Sequence, residues 1–358
     1  MTAPVVLQPG QGPFPQADAV LLSDPTTALW GWLPNRDSRP VLTVEPGQTV
    51  TVDTVSHEGI HTDQGRDPVA FFARHGIERA GVLDDAIAIA GSALRHDPRV
   101  DGPHIVTGPI AVAGAMPGDL LRVDMLTLTP RVSYGIVSSR HGKGALTGEL
   151  PVAPTVSTLC RVRDGFGVID GGAHEITFPL RPFLGIVAVA PDTSERVHSV
   201  PPGAHGGNLD LSLLVEGSTL FLPVRVPGAL LSVGDPHYAQ GDGEVALTAF
   251  EAPLRATMRL SLVPAAEVAG RFGDLAGPYA ETPDYLVPIG LDVDLDVAVQ
   301  HATRAALGLL TRRFGVPTQT AYAYLSAAAD LSVTQVVDQV KGAHFRIPRA
   351  HFAAWAGQ

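Results

Sequence analysis

The chain is poor in cysteine, in long apolar runs and in positive charge. Its single cysteine, Cys160, cannot form an internal disulfide, so nothing indicates an oxidising compartment. No apolar run reaches the roughly 18 residues that a membrane helix needs, and residues 1–20 lack the basic start and apolar core of a signal peptide. The net charge of -11 argues against a partner held through nucleic-acid phosphates. We therefore expect a cytoplasmic protein that binds neither membranes nor nucleic acids.

Glycine and proline, by contrast, are abundant. The 358 residues include 38 Gly and 31 Pro without a repeat period, which indicates many turns and therefore many strands. A hydrophobic content of 45% with 17% charged residues is typical of a globular protein. We predict a mostly β (α+β) fold in a single domain over residues 1–358. An antiparallel β-sandwich-like core would cover about 41–262, and helices would be added near the C-terminus, over about 284–358.

Apolar residues at helical spacing predict three helices late in the chain. The first covers Asp296–Phe314 and ends before Gly315. The other two cover Thr318–Ala329 and Leu331–Val340. Earlier in the chain, alternation from Glu244 to Phe250 predicts a strand.

Residues able to do chemistry concentrate between His198 and Glu251. Two groups of polar residues there stand beside glycines, which let side chains and backbone approach a bound ion or small molecule closely. Between the groups, Ser218–Val226 and Ala229–Val233 are typical of buried strands, and strand ends are rigid positions for a site. The candidates in the two groups are His205, Asn208, Asp210, Asp235, His237, Gln240, Asp242 and Glu244.

Residues 57–61, His-Glu-Gly-Ile-His, match the zinc-protease motif H-E-x-x-H. That motif requires a helix, which puts both histidines on one side. Here an alternating strand pattern precedes the motif, Gly59 interrupts it and Gly65 follows, so the context is a strand-to-loop boundary. Two other interpretations stay open. The segment is a polar loop with capping residues, or His57 reaches the site from a strand end, which we prefer.

Asp235 and His237 are the main candidates for metal ligands. They lie two residues apart, so on an extended segment both side chains point the same way. Zn²⁺ accepts this mixture of oxygen and nitrogen ligands, and Ca²⁺ or another divalent ion is an alternative. Asp210 and His57 are the candidates that complete the shell. The alternative for Asp235 is a turn, because Asp before Pro commonly starts one.

Glu244 is the main candidate for a general base. On a strand of otherwise apolar and small residues its carboxylate should be desolvated, and desolvation raises the pKa of a carboxylate. The alternative is a solvent-facing edge position. Asp242 can exchange roles with Glu244 or bind the metal, and His205 can transfer a proton or merely hold its glycine loop. Asn208 and Gln240 are candidates for substrate binding, although Asn also tolerates left-handed turns.

The ordered motifs of this region resemble the acetamidase/formamidase family. The central segments that carry the resemblance are Pro201–Asp210, Gly217–Leu220, Leu222–Val224, Pro227–Ala229, Gly234–His237 and Gln240–Glu244. Those outside the centre are Thr107–Pro109, Gly114–Asp119, Ala321–Ser326 and Leu331–Val337. The resemblance implies hydrolysis of a short-chain aliphatic amide to carboxylate and ammonia. Its expected partners are a small-molecule amide and further copies of the chain in a homo-oligomer.

The chemistry of the candidate residues agrees with that expectation. Amide hydrolysis needs an activated nucleophile, a stabilised oxyanion and a protonated leaving nitrogen. A divalent metal that activates water, combined with a carboxylate base, can meet these needs. Sequence signatures of serine amidases and of the nucleophile elbow G-x-S-x-G are missing, and Cys160 lacks the setting of a reactive thiol. Two alternatives remain: a non-catalytic β-sandwich module that binds a small molecule, and a metal-independent carboxylate/His amidohydrolase acting on another C–N bond.

Overall fold

A computed structural model of the protein describes residues 6–272 and 275–355. Residues 1–5, 273–274 and 356–358 of the predicted single domain lie outside this description, and the division into domains stays a prediction. In chain order the strands are β1 (Ala19–Leu21), β2 (Ala28–Trp30), β3 (Trp32–Leu33), β4 (Leu42–Val44), β5 (Thr49–Asp53), β6 (Ile105–Val112), β7 (Leu120–Pro130), β8 (Tyr134–Arg140), β9 (Thr155–Arg163), β10 (Phe166–Asp170), β11 (Glu175–Pro179), β12 (Phe183–Ala188), β13 (Val197–His198), β14 (Gly206–Asn208), β15 (Thr219–Pro223), β16 (Leu231–His237), β17 (Leu254–Val263), β18 (Tyr279–Glu281), β19 (Tyr285–Asp292), β20 (Asp330–Gln335) and β21 (Lys341–Pro348). The α-helices are α1 (Pro68–Ala73), α2 (Asp84–Ala90), α3 (Ala265–Phe272), α4 (Leu295–Phe314) and α5 (Thr318–Ala328), with short 3-10 helices at Thr62–Gln64, Arg79–Gly81 and Arg349–Trp355.

Most of these strands belong to two large sheets. The larger sheet has nine strands in the order β1-β5-β17-β7-β15-β18-β19-β21-β20. The other has the order β14-β12-β16-β6-β2, with β4 beside β6. A four-stranded sheet, β11-β10-β9-β8, and the pair β13-β3 lie beside them. Among the described strands, pairing is antiparallel apart from β1 with β5 and β4 with β6. The predicted mostly β fold is confirmed.

The main hydrophobic core contains side chains from both large sheets. Val52 and Met258 come from the nine-stranded sheet, whereas Ile110 and Val187 come from the other, and all four are fully buried. Alternation along each strand directs one face of each sheet inward, as in a sandwich. The two sheets therefore form a rigid support for the strand ends that carry polar residues.

The late helices follow the sequence prediction in part. In α4, the Asp294 side chain accepts hydrogen bonds from two backbone N–H groups at the start, and left-handed Gly315 ends the helix. Helix α5 covers most of the predicted Thr318–Ala329. The helix predicted over Leu331–Val340 is wrong, because its first residues form β20, paired with β21. Of the helices in the described ranges, none combines the length and apolarity needed to cross a membrane.

The strand predicted from Glu244 to Phe250 is also wrong. The segment consists of turns and irregular backbone. Glu244 has a φ of 46° and Leu247 a φ of 106°, and two left-handed residues within four positions interrupt the extended backbone. Alternating residue types were therefore not a sign of extended backbone here.

A fully buried network of charged side chains holds the first described residues against the sheets. Arg255 on β17 donates to both carboxylate oxygens of Asp53, at 2.7 and 2.9 Å, and to the carbonyl of Gln11 at 2.8 Å. Arg131 donates to Asp85 on α2 at 2.6 Å. All four charged side chains are nearly or wholly inaccessible to solvent, so each depends on its partner for solvation.

We expect Arg255→Ala to lower the free energy of unfolding by about 3–5 kcal/mol, because it leaves the Asp53 carboxylate without its two strong donors. Denaturant unfolding of the variant and the wild type measures the difference. Arg259→Ala is the matched control, since Arg259 is exposed four residues along the same strand. Equal losses in the two variants would contradict the role assigned to the buried pair.

Candidate active site

Five separate parts of the chain meet at the floor of one open pocket of about 850 Å³. β16 ends with Asp235 and His237, and Asp210 follows β14. His57 lies four residues after β5, and His104 directly precedes β6. The remaining groups come from the turns after β16 and the connection between β20 and β21. The buried residues that line the floor are His57, His104, Asn208, Asp210, Asp235, Glu244, Glu251 and Asp338.

Asp235 and His237 lie at the middle of this centre. Asp235 Oδ1 is 3.4 Å from Nδ1 of His57 and 3.8 Å from Nε2 of His104, while Oδ2 is 3.1 Å from Nε2 of His237. The same His237 nitrogen is 2.9 Å from Glu251 Oε1. His237 is fully buried beneath the pocket. Imidazole and carboxylate groups are thus interleaved at short range.

Many polar atoms of the centre are buried without a hydrogen-bond partner. Burial of an unpartnered polar atom is costly, so such a concentration marks a place that a ligand or ion would complete. The unpartnered atoms are Nδ1 of His57, Oδ1 of Asn208, Oδ1 of Asp210, Oδ1 of Asp235, Nδ1 and Nε2 of His237, Oε2 of Glu244, Oε2 of Glu251 and Oδ2 of Asp338.

The donor atoms fit a divalent cation. Three groups place one donor atom from each residue within 4.8 Å of one another, and Asp235 and His237 each belong to two of them. The groups are His57–His104–Asp235, Asp210–His237–Glu244 and Asp235–His237–Glu251. Ligand atoms of a tetrahedral zinc ion lie about 3.4 Å apart, and the nitrogen–oxygen separations given above scatter around this value. The residues present could therefore hold a metal ion.

The backbone at three of the acids is unusual. Asp210, Asp235 and Glu244 have φ values of 46°, 50° and 46°. Residues other than glycine rarely adopt this left-handed conformation, and when they do the strain is often found at functional sites. Here all three acids line the same pocket, although Asp235 lies within β16.

Gly185 on β12 leaves the space that the centre occupies. Its neighbours pair with Pro236 and Gly234, so Gly185 lies opposite Asp235 in the sheet. A Cβ atom there would overlap Oδ1 of Asp210 and lie 2.7 Å from Oδ2 of Asp235. Any larger residue would thus occupy the centre itself.

Burial and mutual repulsion raise the pKa values of several acids. Burial, followed by the charge of Asp235, raises the pKa of Asp210 to about 7. Burial and the Asp210 charge raise the pKa of Glu244 well above its usual range, as the sequence predicted for a desolvated carboxylate. Burial opposes the protonated form of His57, yet the adjacent carboxylates of Asp235 and Glu58 raise its pKa to about 10.

The structure brings six of the nine candidate residues together at this centre and places three outside the pocket. The six that converge are His57, Asn208, Asp210, Asp235, His237 and Glu244. Asp242 is exposed and accepts a hydrogen bond from Ser212. His205 is half-buried on its glycine loop, away from the pocket lining. Gln240 donates to the backbone carbonyl of Asp210 at 2.7 Å, so it supports the site from behind.

Sequence reasoning missed three residues of the floor: His104, Glu251 and Asp338. Glu251 is the last residue of the polar stretch that begins at His198, but no spacing relates it to His237. His104 directly precedes β6, and a position beside a strand end is the kind of signal that favours His57, which follows β5. Asp338 lies about a hundred residues further on, and no local pattern indicates it.

The segment that matched H-E-x-x-H is not an α-helix. Residues 57–61 form a turn between β5 and a short 3-10 helix. His57 lies in the centre, as preferred, whereas the Glu58 carboxylate accepts a hydrogen bond from Ser138 at 2.6 Å and another from Gln64. The zinc-protease arrangement is therefore absent from this segment.

The fold and the centre together define a mostly β protein with a buried carboxylate–imidazole site below an open pocket. The model of the acetamidase/formamidase family matches residues 192–353. The acetamidase of Mycolicibacterium smegmatis is 30% identical over 198 residues, which is 40% of this chain and 49% of that protein. The formamidase of Methylophilus methylotrophus is 26% identical over 321 residues, 70% of this chain and 75% of that one.

A solved structure agrees over almost the whole chain. The crystal structure of the acetamidase from Bacillus halodurans superimposes with a TM-score of 0.75 and 25% identity, covering 94% of this chain and 99% of that chain. The chain is similar to members of the acetamidase/formamidase family in sequence and in fold, and the resemblance predicted from its motifs is confirmed. The region of this chain that matches the M. smegmatis acetamidase covers about half the length of that protein.

Proposed function

We propose that the protein hydrolyses a short-chain aliphatic amide to the carboxylate and ammonia, with a divalent metal and a carboxylate general base. The observation that carries this proposal is the convergence of unpartnered imidazole and carboxylate atoms at the pocket floor of a chain related to acetamidases and formamidases. A cytoplasmic location and a homo-oligomeric state, both expected from the sequence, remain part of the proposal.

The metal would be held by His57, Asp235, His237 and Asp210, with Glu251 beside them. A set that mixes imidazole nitrogen with carboxylate oxygen favours Zn²⁺, since Ca²⁺ takes oxygen ligands. A bound divalent ion would supply a Lewis acid that polarises the amide carbonyl and lowers the pKa of water.

Glu244 is the proposed general base. Its Oε2 atom is buried, unpartnered and faces the pocket. It can accept a proton from water as the water oxygen adds to the carbonyl carbon, and return that proton to nitrogen as the C–N bond breaks. The sum of these steps converts one amide and one water to a carboxylic acid and ammonia.

Asn208 is the proposed residue for orienting the amide. Its side-chain oxygen is buried at the floor without a donor, and a primary amide N–H₂ group offers one. Acetamide occupies on the order of 100 Å³, at about 30 Å³ per heavy atom as in liquid water, so the pocket of about 850 Å³ has room for longer amides. This room is a reason to test more than formamide and acetamide.

Ammonia release from a series of amides, with and without chelation, tests the proposal. We expect release from linear aliphatic amides, loss of activity on removal of divalent metal and recovery on addition of Zn²⁺. Metal content by elemental analysis accompanies the assay.

Two outcomes would overturn the proposal in different ways. Activity that chelation leaves unchanged in metal-free protein would favour the metal-independent carboxylate/His alternative. Protein that holds no metal and releases ammonia from none of the amides would favour the non-catalytic binding module.

A further inference from the structure

His104 presents its two ring nitrogens to different groups. Nδ1 is 2.9 Å from the hydroxyl oxygen of Ser199, which is hydrogen-bond distance. Nε2 is 3.8 Å from Asp235 Oδ1, which is too long for a hydrogen bond. His104 itself is only 6% exposed and its ring meets that of His57 edge to face. One edge of the ring therefore faces the centre and the other faces Ser199.

Ser199 is fully buried and does not line the pocket. It directly follows β13, and its backbone N–H donates to the carbonyl of Gly31 at 3.0 Å. A Cβ atom at Gly102 would overlap the Ser199 hydroxyl oxygen, so the glycine makes room for this hydroxyl. A serine in this position cannot reach an amide in the pocket, but it can fix the imidazole that does face the centre.

These two distances favour one tautomer of His104. A proton on Nε2 would lack an acceptor at Asp235, whereas a proton on Nδ1 can be donated to the Ser199 oxygen. Partners of this kind fix the tautomer and ring orientation of metal-binding histidines. We propose that Ser199 is a positioning residue that holds His104 as the Nδ1–H tautomer, with Nε2 free to donate its lone pair to a divalent cation beside Asp235.

This inference rests on the metal centre of the proposed function, and the residue to which it assigns a role, Ser199, is not a candidate ligand. His104 and Ser199 come from different segments, and the pair β13-β3 brings the second close to the first. In this interpretation, the strand pair β13-β3 places the Ser199 hydroxyl beside Nδ1 of His104.

The tautomer can be measured without metal or amide. In full-length protein labelled with ¹⁵N-histidine, long-range ¹H–¹⁵N spectra distinguish the Nδ1–H form from the Nε2–H form. We expect His104 in the Nδ1–H form in the wild type and a loss of this preference in Ser199→Ala. A wild-type ring protonated on Nε2 alone would overturn the proposal. This result does not depend on whether the protein hydrolyses amides.

Affinity for Zn²⁺ alone gives a second readout. We expect Ser199→Ala to weaken it by about 10–100-fold, as is typical when an outer partner of a ligand is removed. Ser23→Ala is the matched control, because Ser23 is equally buried and bonds Thr107 instead. Unchanged affinity in Ser199→Ala, or an equal loss in Ser23→Ala, would overturn the positioning role.

Gly102→Ala tests the same contact from the other side. Its new methyl group would displace the Ser199 hydroxyl, so the single variant should lose affinity about as Ser199→Ala does. In the Ser199→Ala background the hydroxyl is gone, and the same glycine change should add little. Zn²⁺ titration of the two single variants and the double variant measures this coupling. Losses that add in full would show that the two residues act separately and would refute the proposal.

Discussion

His237→Ala is expected to lower the affinity for divalent metal by about 100-fold or more and to abolish amide hydrolysis with it. Both ring nitrogens lie within the centre, one of them 3.1 Å from Asp235 and 2.9 Å from Glu251. No other imidazole of the described chain belongs to two of the candidate metal groups. Metal affinity should therefore fall far more than the free energy of unfolding. Elemental analysis together with ammonia release measures both losses.

The matched control for this variant is His174→Ala, since His174 is exposed in the turn between β10 and β11. Gly185→Ala is a complementary variant that keeps every candidate ligand. Its methyl group would overlap Oδ1 of Asp210, so it should remove the metal by filling the space. A wild-type protein that is active, metal-free and indifferent to chelators would end the metal mechanism. Full metal content in both His237→Ala and Gly185→Ala would place the ion elsewhere.

Glu244→Gln is expected to keep the fold and the metal while lowering kcat by roughly two orders of magnitude or more. The amide of glutamine has nearly the same shape as the carboxylate, but it cannot accept a proton from water at neutral pH. The wild-type carboxylate is buried at the pocket floor and its Oε2 atom has no hydrogen-bond partner. Steady-state ammonia release, far-UV circular dichroism and metal content are measured on the same preparations.

Two further variants serve as a control for Glu244→Gln and as a test of the alternative base. Glu216→Gln, an exposed change before β15, is the control and should keep wild-type kcat. Asp242→Asn tests the rival that the sequence left open, since Asp242 lies two residues away but is exposed. Loss of metal in Glu244→Gln would make Glu244 a ligand. A large fall in kcat for Asp242→Asn, with Glu244→Gln unaffected, would transfer the base role to Asp242.

Local sequence predicted those elements whose cause is local. Helix α4 starts at the Asp294 cap and ends at left-handed Gly315, both of which are readable from residue types. The high content of glycine and proline indicated many strands, and the sheets confirm it. Spacing by two placed Asp235 and His237 side by side, as the 3.1 Å between their side chains shows.

Local reasoning failed where a distant partner decided the conformation. The β-branched residues within 333–340 are compatible with one face of a helix or with a strand. Pairing with β21 stabilises the strand, which covers Asp330–Gln335. The alternation from Glu244 to Phe250 suggested a strand, but the bridge between Gly243 and Gln335 holds the start of that segment against the C-terminal strands. Glu244 is nevertheless buried, and the residues next to it in the sequence do not explain why.

Residue types and their spacing were sufficient to predict the class of fold, the family resemblance and most of the reactive side chains. Which of these side chains meet depends on how the sheets assemble. The tertiary structure joined His104, Glu251 and Asp338 to the centre and left His205 and Asp242 outside the pocket. The physical reason is that pairing among distant strands, rather than any local pattern, sets the distances between side chains remote in sequence. Residue types specify what a group can do, and long-range packing specifies what it can reach.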